Sequence, residues 1–218
     1  MLFRSAIAAL ALDPLEPAGE ATAAPAPKSS PAILLRNPVF IAVALASSMV
    51  QGSHALYYGF STVEWRASGI NGTTIGVLWG LGVLAEIVLF AYSARLPAAL
   101  RPTVMLAIGG AGAILRWTAM AFDPPVAALP ALQLLHAASF GAAHLGAMGF
   151  LARAVPRELT ATAQGLVATL SGIVTASATG ISGLVYATSG SLAYLVMAAM
   201  ALIGLLSALF AGWRWREG

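Results

Sequence analysis

Cysteine is absent from the 218-residue chain, and charged residues make up only 9% of it. Without cysteine the chain can form neither a disulfide nor a thiolate metal site. Soluble globular domains carry roughly a quarter charged residues, so charge this sparse cannot coat a surface that faces water. The net charge of +3 is not gathered into any cluster of basic residues, which argues against nucleic acid as a partner. These absences nearly exclude a soluble enzyme.

Apolar sequence, by contrast, is abundant, since 59% of the residues are hydrophobic. Several apolar runs exceed ~18 residues, the length that a helix needs to cross a bilayer. Breakers such as Asn-Gly and Pro-Pro divide the chain after residue 37 into six such runs. We therefore predict an all-α integral membrane protein with one domain over residues 38–213, a short tail at 214–218, and six spans at 38–60, 73–94, 103–122, 126–151, 164–186 and 191–212.

The first 37 residues differ from the rest of the chain. An apolar run at 6–12 is too short to span, and it precedes an Ala- and Pro-rich stretch at 13–31. The run could be a signal peptide, or it could be the end of a preceding helix followed by a cytoplasmic linker. The distribution of charge favours the second interpretation.

Basic residues orient the predicted bundle. The loops on the side opposite to the chain termini contain one basic residue, Arg66. The side that holds both termini has nine basic residues: Arg4, Lys28, Arg36, Arg95, Arg101, Arg153, Arg157, Arg214 and Arg216. Because basic residues concentrate in cytoplasmic loops, we expect both termini in the cytoplasm of a multi-pass protein, most simply in a bacterial inner membrane.

Ionisable side chains inside the spans cost at least ~2.5–3.5 kcal/mol each, so each is a functional candidate. They are His54, Glu86, Arg116, His136 and His144. From the helical rise, Arg116 and His136 lie at similar depth, and Glu86 lies ~8 Å nearer the cytoplasm. That gap is one that the side chains of Arg116 and Glu86 could nearly bridge. A permanently charged arginine needs a counter-charge or an anionic ligand.

A polar and aromatic stripe follows the fourth span, where Gln133, His136, Phe140 and His144 recur at steps of three or four residues. Such a stripe should face the bundle interior or a water-filled cavity. His54 has polar neighbours, among them Tyr57. Packing roles or a structural ion pair remain open for all of these residues. His54, His136, His144 and Glu86 are possible metal ligands, but their spacing matches no metal motif, so we predict no metal and no cofactor.

Motifs on four spans resemble the phenylpropionate-permease-like branch of the major facilitator superfamily. They are Gln51-Gly-Ser-His-Ala-Leu-Tyr-Tyr-Gly-Phe60, Gly76–Trp79 with Leu81-Gly-Val-Leu-Ala-Glu-Ile87, Leu115-Arg116-Trp117 and Leu134-Leu-His136. The resemblance covers about residues 36–213 and corresponds to helices seven to twelve of a twelve-helix transporter. It implies one half of a major-facilitator-type bundle, which pairs with a missing amino-terminal half or with a second copy.

The same branch is similar to lactose-permease-type sugar/proton symporters, in which an arginine of helix nine and a histidine of helix ten take part in proton coupling and substrate binding. Arg116 and His136 fall at the matching positions. The acidic residue expected one turn after the histidine is replaced by Ser139, so Glu86 becomes the candidate proton carrier.

The resemblance therefore implies a transporter, not an enzyme. We expect a proton-coupled carrier of a small organic solute, such as an aromatic or other carboxylic acid. Proton coupling is assigned to Glu86, Arg116 and His136. Substrate binding is assigned to Arg116, His136, Gln133, His54 and Tyr57. The alternatives are a self-pairing six-helix transporter and, with less support, an intramembrane enzyme that uses histidine and glutamate.

Overall fold

The computed structural model describes residues 30–97 and 99–215, and all regular structure in these residues is helical. The predicted all-α class is confirmed. The predicted helix end and linker in residues 1–37 fall largely outside the described residues, as does most of the tail at 214–218. The α-helices are α1 (Ala32–Arg36), α2 (Pro38–Gly52), α3 (Ala55–Ala67), α4 (Gly72–Tyr92), α5 (Pro102–Ala121), α6 (Leu129–Leu134), α7 (Ala143–Ala154), α8 (Thr160–Ser189) and α9 (Tyr194–Arg214).

Short polar segments set where the long helices begin and turn. The side chain of Asn37 accepts hydrogen bonds from the backbone of Val39 and Phe40 at the start of α2, and Asn71 caps α4 through the Thr74 amide. Such caps satisfy amides that lack a partner within the helix. Gly190 adopts φ 55° between α8 and α9, a conformation that glycine reaches without strain.

Five helical stretches among the described residues are long and apolar enough to cross a membrane. The last of them, Arg157–Arg214, has 58 residues, which as one straight helix would be roughly 87 Å long. It consists instead of α8 and α9, which run in opposite directions. The described residues therefore contain six helical stretches long enough to cross a membrane, as predicted.

Contacts along the helices show these directions. Ser48 of α2 bonds Ser171 of α8 at 3.0 Å, and Phe60 further along contacts Tyr186 with ring centroids 4.9 Å apart, so α8 runs parallel to α2 and α3. By contrast, α9 is antiparallel to α5. Ser191, just before α9, donates to Asp123, just after α5, at 3.0 Å, whereas Gly212 near the end of α9 packs at Thr103 near the start of α5.

The first span continues to Ala67 rather than ending near residue 60, and it is interrupted at Ser53 and His54. In place of a continuous ladder, the hydroxyl of Ser53 and Nδ1 of His54 both bond the Val50 carbonyl, at 2.6 and 3.0 Å. These two side chains thus supply hydrogen bonds to a backbone carbonyl that would otherwise lack a partner in the apolar interior.

The fourth span also departs from a uniform helix. Between α6 and α7 the chain forms a π-helical turn, Ala137–Ala142, which begins directly after His136. Wide turns of this kind occur frequently at functional sites. Glycines bring α5 against this span: a Cβ on Gly109 would lie 2.6 Å from that of Ala143. The close approach places Arg116 beside the π-helical turn.

Candidate functional site

Four spans bring five of the predicted site residues into one buried cluster. Its members are Tyr57 on α3, Glu86 on α4, Arg116 on α5, Gln133 on α6, and His136 directly before the π-helical turn. Tyr57, Arg116, Gln133 and His136 are buried, whereas Glu86 is half-buried. We call these five residues the polar cluster.

Arg116 lies at the centre of the polar cluster. Its Nη2 donates to Gln133 Oε1 at 2.8 Å, and its Nη1 donates to His136 Nδ1 at 3.1 Å. The guanidinium carbon also lies 4.4 Å from the ring centroid of Tyr57 and 4.8 Å from that of Trp117. The cation is therefore held by neutral groups and aromatic faces.

The ion pair between Arg116 and Glu86 that the sequence analysis left open is not formed between these two described residues. Within residues 30–97 and 99–215 no ion pair joins them, and the carboxylate Oε2 of Glu86 faces Nε2 of His136 at 3.5 Å. His136 occupies the space between them because α4 packs closely on the fourth span. At Gly82 a Cβ would lie 3.5 Å from both the Gln133 carbonyl and the His136 Cβ.

These contacts assign the tautomer of His136. Arginine can only donate hydrogen bonds, so the Nδ1 atom that faces Arg116 must be the acceptor. The ring proton is then on Nε2, directed at Glu86. Donation thus runs in one direction, from Arg116 through His136 to Glu86.

Gln133 joins Arg116 to Tyr57. Its Oε1 accepts from the guanidinium and also from the Tyr57 hydroxyl, at 2.7 Å. Its Nε2 and the Nε of Arg116 are both buried without a hydrogen-bond partner among the described residues. Buried donors are nearly always satisfied, so these two nitrogens are donors that the described residues leave unused.

A pocket of about 200 Å³ opens beside the polar cluster. Glu86 and His136 contribute its polar side, and aromatic rings form most of the rest, from Tyr57, Tyr58, Trp79 and Phe140. The rings of Tyr57 and Trp79 lie 4.6 Å apart. An apolar wall with a few convergent polar groups is typical of small-molecule sites. The sequence analysis did not identify Trp79 as part of the site, and its position within a span was the available signal.

His54 lies behind the pocket rather than in its wall. It is fully buried, and its ring is edge-on to His136 with centroids 5.5 Å apart. Nδ1 donates to the Val50 carbonyl, so Nε2 accepts from the Ser139 hydroxyl at 3.2 Å. Both nitrogens are therefore engaged within the chain, and His54 supports His136 from behind.

His144 lies apart from the polar cluster. Its ring stacks on Phe140 at 6.5 Å and contacts Phe90 at 5.9 Å, and the residue is exposed. The histidines and Glu86 do not converge on one point. No group of three or more metal-ligating residues occurs in the part of the chain that the structure describes.

Comparison with known proteins agrees with this arrangement of spans and site. The model of the MFS_1 like family matches residues 6–197. A probable 3-phenylpropionic acid transporter of Escherichia coli (strain K12) is 34% identical over 154 residues, which cover 71% of this chain and 41% of that relative. No solved structure matches the chain significantly.

The family match covers most of the chain and includes the whole polar cluster. The match agrees with the structure, whose described residues include helices long and apolar enough to span a membrane. The motifs on four spans had predicted the same group of proteins. The chain therefore belongs to the MFS_1 like family, as a phenylpropionate-permease-like member of the major facilitator superfamily.

Proposed function

We propose that the chain forms the carboxy-terminal six-helix half of a proton-coupled transporter, whose cargo is a small organic acid with an aromatic group. The arrangement Arg116–His136–Glu86 carries this proposal. It joins a permanent cation to a titratable ring and a carboxylate, beside a pocket with aromatic walls.

The carboxylate of the cargo binds Arg116 and Gln133, whose Nε and amide nitrogen have no hydrogen-bond partner among the described residues. Both side chains are buried next to the pocket rather than in its lining, so binding requires the lining side chains to move. Arginine suits a carboxylate because its planar fork of donors matches two oxygens at once. Tyr57 and His136 complete the binding site, and Trp79 gives an aromatic ring a face on which to stack. The substrate name of the relative, 3-phenylpropionic acid, has the same two parts: a carboxyl group and a phenyl ring.

Proton coupling follows from competition for Arg116. While Arg116 donates to Nδ1 of His136, that nitrogen cannot carry a proton of its own. When the guanidinium turns to the carboxylate of the cargo, Nδ1 is released and the ring can take up a proton. The resulting imidazolium forms an ion pair with Glu86, and loss of the cargo reverses both steps. Proton and cargo thus bind together.

The pocket requires a second wall. Helix α4 presents large apolar side chains outward, with Val77, Val83, Leu84, Ile87 and Val88 all exposed. The described chain therefore offers one side of a cavity of the kind that transporters enclose between two repeats. We assign the opposite side to an amino-terminal six-helix half. The chain spans 41% of the length of the Escherichia coli relative.

Uptake by proteoliposomes tests the proposal. The full chain is reconstituted alone and with the amino-terminal half of the Escherichia coli relative, and an inward proton gradient drives uptake of labelled 3-phenylpropionate. We expect accumulation only with both halves. Neutral 3-phenylpropanamide and Arg116→Gln serve as matched controls, and neither should support accumulation.

Two outcomes would contradict this function. If the chain alone takes up as much substrate as the two halves together, no amino-terminal half is needed. The second wall would then come from another copy of the chain, as in a self-pairing transporter. Equal uptake of acid and amide would remove the carboxylate from the recognition step.

A further inference from the structure

An amphipathic groove lies between α5 and α9, at the end of the bundle where α5 begins and α9 ends. Its volume is about 350 Å³. The groove exists because Gly212 faces Thr103 without a side chain: a Cβ there would be 3.1 Å from Thr103 Oγ1. It lies far along α5 from the polar cluster and has no part in the proposed transport chemistry.

We propose that this groove binds an anionic phospholipid, with the phosphate at Arg101 and Thr103 and one acyl chain along the groove. Three features support this ligand: an available cation, a hydroxyl in the groove that makes no hydrogen bond to another described residue, and an apolar floor that begins where the polar groups end.

The cation is Arg101. Its side chain is exposed, and it has no ion pair among the described residues. Other arginines of the same end are Arg95, Arg153, Arg157 and Arg214, and the acidic residue among them is Glu158. A basic surface at headgroup depth attracts anionic lipids, and Arg101 is the member of this set that lines the groove.

The donor is the hydroxyl of Thr103, a residue that lines the groove and is only 6% exposed. Within the described part of the chain this hydroxyl makes no hydrogen bond to another residue. It also lies in the first turn of α5, where no side chain caps the helix. A phosphate oxygen there would accept from Thr103 and pair with Arg101, and the helix dipole favours its negative charge.

The floor of the groove selects a lipid rather than free phosphate. The rest of the lining is apolar and includes Val104, Ala107, Ala208 and Leu209. These side chains offer apolar contacts to an acyl chain but no polar contacts to a soluble anion. Trp215 borders the groove at its polar end and packs edge-on against Phe150 at 5.0 Å. Tryptophan is enriched at the depth of lipid headgroups.

Lipid titration of the full chain, followed by native mass spectrometry, tests the site. The ligands are phosphatidylglycerol, phosphatidylcholine with the same acyl chains, and glycerol phosphate. We expect preferential binding of phosphatidylglycerol. Arg101→Gln should weaken it roughly fivefold. Arg95→Gln, a matched control that removes a charge from the same end but outside the groove, should leave it unchanged.

Thr103→Val gives a second and independent readout. It removes the unpaired hydroxyl at nearly constant volume, so the unfolding temperature in detergent should not fall, while binding of phosphatidylglycerol should weaken. If Arg101→Gln and Arg95→Gln weaken the binding of phosphatidylglycerol equally, the proposal is overturned, because the lipid is then attracted by the overall surface charge and not by the groove. Equal binding of phosphatidylcholine would overturn it too, as would saturation by glycerol phosphate alone. None of these results depends on transport activity.

Discussion

Nη1 of Arg116 lies 3.1 Å from Nδ1 of His136, and this contact determines which nitrogen of the ring carries the proton. Because the guanidinium has no acceptor atoms, Nδ1 must accept, and Nε2–H is left facing Glu86 at 3.5 Å. One arginine thereby sets the tautomer of the histidine that faces Glu86.

Replacement of Arg116 by lysine should impair binding of the substrate even though the charge is kept. A lysine ammonium cannot bond Gln133 and His136 in the same fork geometry. Loss of one hydrogen bond to a charged group costs about 1.5–3 kcal/mol, so we expect roughly tenfold to hundredfold weaker binding of an aromatic carboxylate. Calorimetry on the reconstituted two-half protein measures this affinity. Wild-type affinity in Arg116→Lys would contradict the claim that binding needs the paired donors of the guanidinium.

Replacement of Glu86 by glutamine should uncouple the transporter. Glutamine retains the size and polarity at the position that faces His136 but cannot form an ion pair with a protonated ring. Accumulation driven by a proton gradient should be lost, whereas exchange of labelled for unlabelled substrate should continue at a similar rate. The comparison needs both assays on the same proteoliposomes. Wild-type accumulation in Glu86→Gln would make Glu86 merely structural and move the proton site to the other half.

The sequence was sufficient to predict the spans and the main ionisable residues, because both depend on local composition. A charged or titratable side chain stands out in an apolar run, as Arg116 and Glu86 do. The order in which these groups touch was not predictable, since it depends on how spans pack. That His136 lies between Arg116 and Glu86 follows from the close fit of Gly82 against the fourth span.

Neutral and backbone features were harder to predict for a related reason. Nothing in the apolar pattern distinguishes the π-helical turn at Ala137–Ala142 from a regular helix. The interruption at Ser53 and His54 is stabilised by their own side chains, and neither residue type is specific for such a break. His54 was therefore expected in the binding site, and the structure places it one layer behind.

Close packing at Gly109 gives a prediction about stability. A methyl group there would lie 2.6 Å from the Cβ and 3.0 Å from the Cα of Ala143, so Gly109→Ala must push α5 away from the fourth span. Overpacking of this kind costs about 1–3 kcal/mol, and the thermal unfolding temperature should fall. Gly76→Ala is the control because, among the described residues, no atom beyond its own chain neighbours and helix backbone lies within 4 Å of its Cβ position. Because alanine favours a helix more than glycine does, a fall of equal size in both variants would show that packing against Ala143 is not responsible.

The orientation of the bundle gives the last prediction, and the absence of cysteine makes it easy to test. Among the described residues, basic side chains concentrate at the end that holds Arg95, Arg101 and Arg153, and the opposite end has Arg66. If that bias sets topology, Ser68→Cys and Ser189→Cys in intact cells should react with a thiol reagent that does not cross the membrane. Ala99→Cys and Ala154→Cys should react only after the cells are opened. All four positions are exposed, so burial does not limit labelling at any of them. Three of the predicted spans lie between residues 68 and 154, so the two positions should lie on opposite faces of the membrane. Labelling of Ser68→Cys and Ala154→Cys from the same face would therefore rule out the six-crossing arrangement.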